Sequence, residues 1–170
     1  GIPNLNSELT RDFFISLGDS TSLIYLDLSN SSPIRMIDLL GQAIAFNALK
    51  KGVLKKLVLR GMGISYMTLT TMIKGMEINE FDHFTSYGFQ FNSNIKKDTQ
   101  EYYAKQFFCN LELLDISNSI MKCNENINDI KQTHIVNHLS TLFSKDKHLE
   151  VFVSNNCECN AYFISMLANA

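Results

Sequence analysis

His134 and His138 lie four residues apart in a stretch of helical apolar spacing, which puts two imidazoles on one face of a helix and offers a metal ion two ligands. No Glu and no third ligand stands beside them, unlike the His-Glu-x-x-His arrangement, so a solvated helix face is the better reading. Gly61-x-Gly63 follows a strand-like run, as a phosphate-binding turn does. The third glycine is missing, because Tyr66 holds its place, and neither a P-loop lysine nor a ribose-binding acid is correctly placed. The four cysteines, Cys109, Cys123, Cys157 and Cys159, fit no zinc signature, since Cys157-x-Cys159 lacks a second pair. In a reducing cytosol they are thiols, buried or incidental. Cys109 has histidines elsewhere in the chain, but nothing marks a nucleophile elbow or dyad, and Asp and Glu are scattered without a convincing pair. These groups do not converge. The reading is of a non-enzyme with no catalytic residue, no metal and no cofactor.

The elements that carry these residues are organised around Leu54–Met76. Leu57 and Leu59 alternate around Val58 as a short strand does, and Ile64, Leu69, Ile73 and Met76 then follow at roughly helical spacing. Ser65 sits where its oxygen can cap that helix. A strand–helix unit this small cannot bury both apolar faces alone. The strand pattern recurs as Leu23-x-x-Leu26-x-Leu28, Leu111-x-x-Leu114-x-Ile116 and, more weakly, Leu149-x-x-Phe152-x-Ser154. The gap between the units at 54 and 111 is about two periods, and Phe81-x-x-Phe84-x-Ser86 fits the slot, giving starts at 23, 54, 81, 111 and 149. This pattern resembles the leucine-rich repeat, L-x-x-L-x-L-x-x-N-x-L, and its helical second half resembles the ribonuclease-inhibitor-like subclass shared by Ran GTPase-activating proteins, tropomodulin and CARMIL-type actin regulators. Met62 stands where that pattern has Asn or Cys, and Ser31, Ser119 and Cys157 take the same place in the other units. The resemblance implies an α/β fold: a right-handed solenoid, a horseshoe arc of about five β-α units with a parallel concave sheet.

With 170 residues, 45% hydrophobic and 19% charged, the chain has the composition of a globular protein, and its formal charge of −2 argues against nucleic acid as a partner. The longest apolar stretch, Met36–Leu49, is interrupted by Asp38, Gln42 and Asn47 and reads as a packed helix, not a membrane span. No secretion signal is visible, and the expected location is the cytoplasm. Residues 1–170 read as one repeat segment of a longer protein, with flanking repeats or another chain covering its ends.

In chain order, a helix is expected from Asn6 or Ser7 to Leu17, a strand over Tyr25–Leu28, and a helix from Ser32-Pro33 to Leu49 stopped at Gly52 by a positive φ. After the central unit, Phe81–Ser86 reads as a strand, Tyr87–Lys97 as a polar loop, and Asp98 as the start of a helix carrying Tyr103, Ala104, Phe107 and Phe108. Leu113–Ile116 reads as a strand, Met121–Asn128 as a linker, Ile130, Ile135, Leu139, Leu142 and Phe143 as the apolar positions of a helix ending near Lys145–Lys147, Val151–Val153 as a strand and Asn160–Ala168 as a helix capped by Asn160.

Strands stack about 4.8 Å apart and packed helices about 8–10 Å apart, so one of each per unit bends the stack with the strands inside. Residues flanking the inward leucines then face solvent in columns: Tyr25, Lys56, His83, Leu113 and Val151; Asp27, Val58, Thr85, Asp115 and Val153; Ser29, Arg60, Tyr87, Ser117 and Asn155. Tyr and Arg are common anchors of protein interfaces. The expected binding set is Tyr25, Asp27, Lys56, Arg60, His83, Tyr87 and Asp115, and the expected function is a protein–protein interaction scaffold in an intracellular complex. The resemblance also implies a regulator of a small GTPase or of actin, or a substrate receptor of a ubiquitin ligase. A doubly wound α/β enzyme is the remaining alternative; it calls for strands of varied pattern and a glycine-rich crossover loop, and the sequence shows one recurring strand motif instead.

Overall fold

The computed structural model describes residues 7–31, 37–50, 52–78, 106, 107, 109–121, 142–144, 146–161, 163 and 164. Helix α1 (Ser7–Asp19) precedes strand β1 (Tyr25–Asp27), helix α2 (Ile37–Leu49), strand β2 (Lys56–Val58) and helix α3 (Tyr66–Gly75). Strands β3 (Glu77–Ile78), β4 (Gln106–Phe107), β5 (Leu113–Asp115), β6 (Ile120–Met121), β7 (Val151–Val153) and β8 (Glu158–Cys159) follow. The fold is α/β. Among the described residues its main sheet has four parallel strands in the order β1-β2-β5-β7, with Leu26, Leu57, Leu114 and Phe152 in one register row.

The alternation seen in the sequence has a direct physical outcome. Leu54, Leu57, Leu59, Met62 and Ile64 are all buried, and so are Leu111, Leu114, Ile116, Ser119 and Met121 at the matching places. At the β7 edge Leu149, Phe152, Cys157 and Cys159 are only partly buried against the same core. Each junction between neighbouring strands repeats the same backbone bonds. Leu28 N donates to Val58 O, Leu59 N to Asp115 O and Ile116 N to Val153 O, at 2.9, 2.8 and 2.9 Å.

Two residues beyond the last strand leucine, the chain turns through the left-handed region. Asn30, Gly61, Asn118 and Asn156 have φ of 55°, 66°, 59° and 54°. Asn and Gly are the residues that tolerate this conformation. The turn lets Asn30 N, Gly61 N and Asn118 N reach Arg60 O, Ser117 O and Asn155 O of the next strand segment at 2.8–3.0 Å. Beyond the turns a second parallel pair forms, Ile120↔Glu158 and Met121↔Cys159, extended by a bridge between Ser65 and Ile120.

The helices form the other layer. α2 packs between α1 and α3, and the approach to α3 is close enough that Gly41 and Gly75 face each other across it. A Cβ at Gly41 would run into the Met72 carbonyl, and one at Gly75 into the Asp38 carbonyl. Ser65 caps α3 as expected: with φ −92° and ψ 165°, its Oγ accepts from Thr68 N at 3.1 Å. Asn160 Oδ1 accepts from Phe163 N at 3.1 Å, the matching cap of the last helical turn. Buried Asn47 ties the helix layer to the sheet. Its Nδ2 donates to Leu17 O and Ser20 O at 3.2 and 2.7 Å, and its Oδ1 accepts from Leu54 N at 3.3 Å. Gly52 is required by this side chain, which lies where a Cβ would stand. The expected positive φ at Gly52 is not among those the backbone adopts.

Two further expectations need correction. β2 pairs directly with β5, Lys56 against Leu113 and Val58 against Asp115, so no strand lies between them, and among the described residues the sheet has four strands where five were expected. The chain between those strands instead includes β3 and β4, which pair antiparallel, Glu77 with Phe107 and Ile78 with Gln106. Phe107, expected in a helix, is therefore in a strand. The reason is tertiary: hydrogen bonding to Glu77–Ile78 outweighs a local helical pattern. Phe81–Ser86 and the loop after it lie outside the described residues. Among the described residues no helix is long and apolar enough to cross a membrane.

Candidate sheet-face binding site

The side of the main sheet away from the helices carries three rows across β1, β2, β5 and β7. The first is Tyr25, Lys56, Leu113 and Val151; the second is Asp27, Val58, Asp115 and Val153. Ser29, Arg60, Ser117 and Asn155 follow at the strand ends. Of the expected set, Tyr25, Asp27, Lys56, Arg60 and Asp115 come together here, while His83 and Tyr87 lie outside the described residues. The direct β2–β5 pairing makes Leu113 and Ser117, not His83 and Tyr87, the column neighbours of Lys56 and Arg60.

The rows are not uniformly exposed. Tyr25, Asp27, Lys56, Arg60, Val151 and Asn155 are open to solvent, but Val58, Asp115 and Ser117 are buried. β2 and β5 are inner strands, crowded from both sides, and Arg60 is drawn across the sheet onto Asp115. Its Nη2 reaches Asp115 Oδ2 at 2.6 Å, with 53% of the arginine side chain exposed against 5% of the aspartate. Tyr25 Oη donates to Asp27 Oδ2 at 3.0 Å. The other oxygen of each aspartate closes the turn after its strand: Ser29 N donates to Asp27 Oδ1 at 2.8 Å and Ser117 N to Asp115 Oδ1 at 2.9 Å.

These bonds set the charges. The hydroxyl and N–H of Ser29, with smaller help from Tyr25 and Arg60, hold the Asp27 carboxyl below its ordinary range. Burial pushes Asp115 upward, but the bonds from Ser117 and Arg60 outweigh it and leave that carboxyl below its ordinary range as well. The hydrogen bond to Asp27 raises the Tyr25 phenol, so it stays a neutral donor. Both acids are ionised and occupied, and neither is poised for proton transfer near neutral pH. The face offers a flat aromatic ring, the Lys56 ammonium and further N–H groups of Arg60 that take no partner among the described residues.

The other chemistry-bearing residues stand elsewhere. Gly61 and Gly63 both adopt positive φ, and the Gly61 N–H is spent on Ser117 O, which removes it from any phosphate. Cys109, Cys157 and Cys159 are free thiols. Burial, then the charge of Asp146, pushes the Cys109 thiol well up, away from nucleophilic reactivity. Cys157 Sγ lies 3.4 Å from Ile116 O, a weak contact tying its turn to the preceding unit. Among the described residues no three His, Cys, Asp or Glu side chains group as metal ligands. His134, His138 and Cys123 lie outside the described residues. The turn residues are what sequence reasoning overlooked, although Asn30, Gly61, Asn118 and Asn156 each stand two places after the sixth position of their unit. A scan against protein-family models finds no match to the chain, and a search of the curated proteins finds none.

Proposed function

We propose that this chain is a leucine-rich-repeat segment of the ribonuclease-inhibitor-like kind and that it docks a protein partner on its sheet face. What supports the repeat reading is recurrence. Four segments with one apolar pattern lie in one parallel sheet with one turn geometry and one set of junction bonds. The observation that carries the functional reading is the state of Tyr25 and Arg60. Each is exposed yet held in place by an aspartate on the same face, through the 3.0 Å and 2.6 Å bonds. An anchor already ordered before binding gives up less side-chain entropy when a partner arrives. The partner is a protein, not nucleic acid, because the face sets Lys56 and Arg60 against exposed Asp27 and buried Asp115 and lacks a basic stripe.

The test is affinity capture from cell lysate with the chain and with its Tyr25→Ala/Arg60→Ala variant, quantified by mass spectrometry. Circular dichroism and the urea midpoint of the variant establish that it is folded. The expected result is a loss of about tenfold or more in capture of the specific partner, because two interface anchors have gone. Undiminished capture by the folded variant removes the sheet face from consideration.

A further inference from the structure

The short parallel pair beyond the turns brings sulfur together. In it Ile120 lies beside Glu158 and Met121 beside Cys159, and Glu158 N donates to Ser119 O at 3.0 Å. The register carries back one residue, so Ser119 stands beside Cys157. Burial alternates along both segments, as it does on a strand with one face covered. Ile120 and Glu158 are exposed, Ser119 and Met121 are buried, and Cys157 and Cys159 are half-buried against the core. One inward block therefore holds two thiols, a thioether and a hydroxyl.

This block differs from ordinary core packing. Cys157 and Cys159 face the same side of β8 as free thiols. Their sulfurs sense each other: burial first, and then the charge of Cys157, raises the Cys159 thiol above its ordinary value. The Ser119 hydroxyl is 1% exposed, and its oxygen takes no hydrogen-bond partner among the described residues. Buried hydroxyls are normally satisfied. A neutral thiol is a weak acceptor for such a donor, whereas a thiolate is a strong one.

We propose that Cys157, Cys159 and Met121 form a site for a soft monovalent cation, copper(I), with the Ser119 hydroxyl donating to a metal-bound thiolate. The donor set decides the metal. Thiolate and thioether sulfur suit Cu(I), whereas magnesium and calcium take oxygen. A closed zinc site needs four ligands, and no third Cys, His, Asp or Glu joins the pair among the described residues. Cu(I) is satisfied by sulfur donors alone at low coordination number. Binding is ligand exchange without a redox step. The thiol protons pass to solvent as the copper–sulfur bonds form, so affinity rises with pH. What is given up is the weak 3.4 Å contact from Cys157 Sγ to Ile116 O. Both cysteines keep partial exposure on β8, which gives the ion a way in.

This site is separate from the sheet face and is tested without it. The chain carrying Cys109→Ala and Cys123→Ser keeps only the proposed pair of thiols. It is titrated anaerobically with the Cu(I)–bicinchoninate complex, and loss of the colour of that complex reads copper uptake. The expected result is one copper per chain, with three sulfur neighbours by X-ray absorption. Even losing a hydrogen-bond partner of a metal ligand weakens binding by about 10–100-fold, so in the same background Cys159→Ala weakens uptake more than about 100-fold and Met121→Leu about tenfold or more. Circular dichroism establishes that each variant is folded. If removal of buried Cys109 unfolds the chain, Cys159→Ala is compared with the unaltered chain and holds one copper fewer. Absence of uptake by the folded chain, uptake that survives Cys159→Ala, or affinity unchanged by Met121→Leu overturns the proposal.

Discussion

Asn47→Ala tests how the helix layer is tied to the sheet. Asn47 is 1% exposed, and its amide serves three backbone groups: the carbonyls of Leu17 and Ser20 and the N–H of Leu54. Alanine leaves Ser20 O and Leu54 N without this partner, while Leu17 O keeps the bond from Ser20 N at 3.2 Å. The Leu54 bond is long at 3.3 Å and Ser20 is only partly buried, so two of the three losses are discounted. At about 1 kcal/mol for each discounted group and less for Leu17 O, which keeps one bond, the cost is roughly 2 kcal/mol. With a urea m-value of about 2–3 kcal/mol/M, the unfolding midpoint falls by about 1 M. Asn47→Asp sharpens the test. It keeps the acceptor for Leu54 N but turns a carboxylate toward two carbonyl oxygens. Ionisation is then penalised in the folded state, so the folded-state pKa of that carboxyl is raised. The variant is less stable than Asn47→Ala at pH 7 and recovers as the pH is lowered, once the protonated acid can donate. Far-UV circular dichroism in urea at pH 7 and pH 5 reads both. A loss below about 1 kcal/mol for Asn47→Ala, or pH-independent behaviour of Asn47→Asp, refutes the assigned hydrogen bonds.

Gly41→Ala pushes a methyl group into the Met72 carbonyl and forces α2 and α3 apart; despite alanine's better helix propensity, a net loss of about 1–3 kcal/mol is expected from thermal or urea unfolding. Asn118, at φ 59°, tolerates Gly but not a β-branched residue, so Asn118→Val costs about 1–2 kcal/mol while Asn118→Gly stays within about 0.5 kcal/mol. Arg60→Met removes the bond to Asp115 Oδ2. Because the folded-state pKa of Asp115 is depressed, its contribution is present above the ordinary carboxylate value near about 4 and is lost as the pH falls through the folded value. Without Arg60 that folded value rises, and acid unfolding followed by circular dichroism begins at a higher pH than in the unaltered chain.

The main sheet was legible because its signal is local and repeated. Leu26, Leu57, Leu114 and Phe152 each sit at the centre of one short pattern, and the structure puts them in one row. Ser65 and Asn160 were readable as caps because a cap depends only on neighbours in sequence. What depended on distant partners was not readable. The 57 residues from Lys56 to its partner Leu113 look like two periods, and only the pairing shows that these strands are neighbours. Phe107 shares its local signal with a helix until Glu77 is known to lie opposite. Asn47 reads as a flaw in an apolar helix, because its partners are 30, 27 and 7 residues away. In the candidate site, Tyr25, Lys56 and Arg60 were found by strand alternation, but the burial of Asp115 depends on Arg60 reaching across from the next strand, which alternation cannot reveal.

Site-specific photo-crosslinking tests the sheet-face proposal most directly. Benzoylphenylalanine is introduced in place of Lys56 on the exposed face and, separately, in place of Thr71 on the exposed side of α3, and each folded chain is irradiated in lysate. A discrete cross-linked partner from position 56, absent from position 71, is the predicted result. Cross-linking to that partner from position 71 and none from position 56 contradicts it.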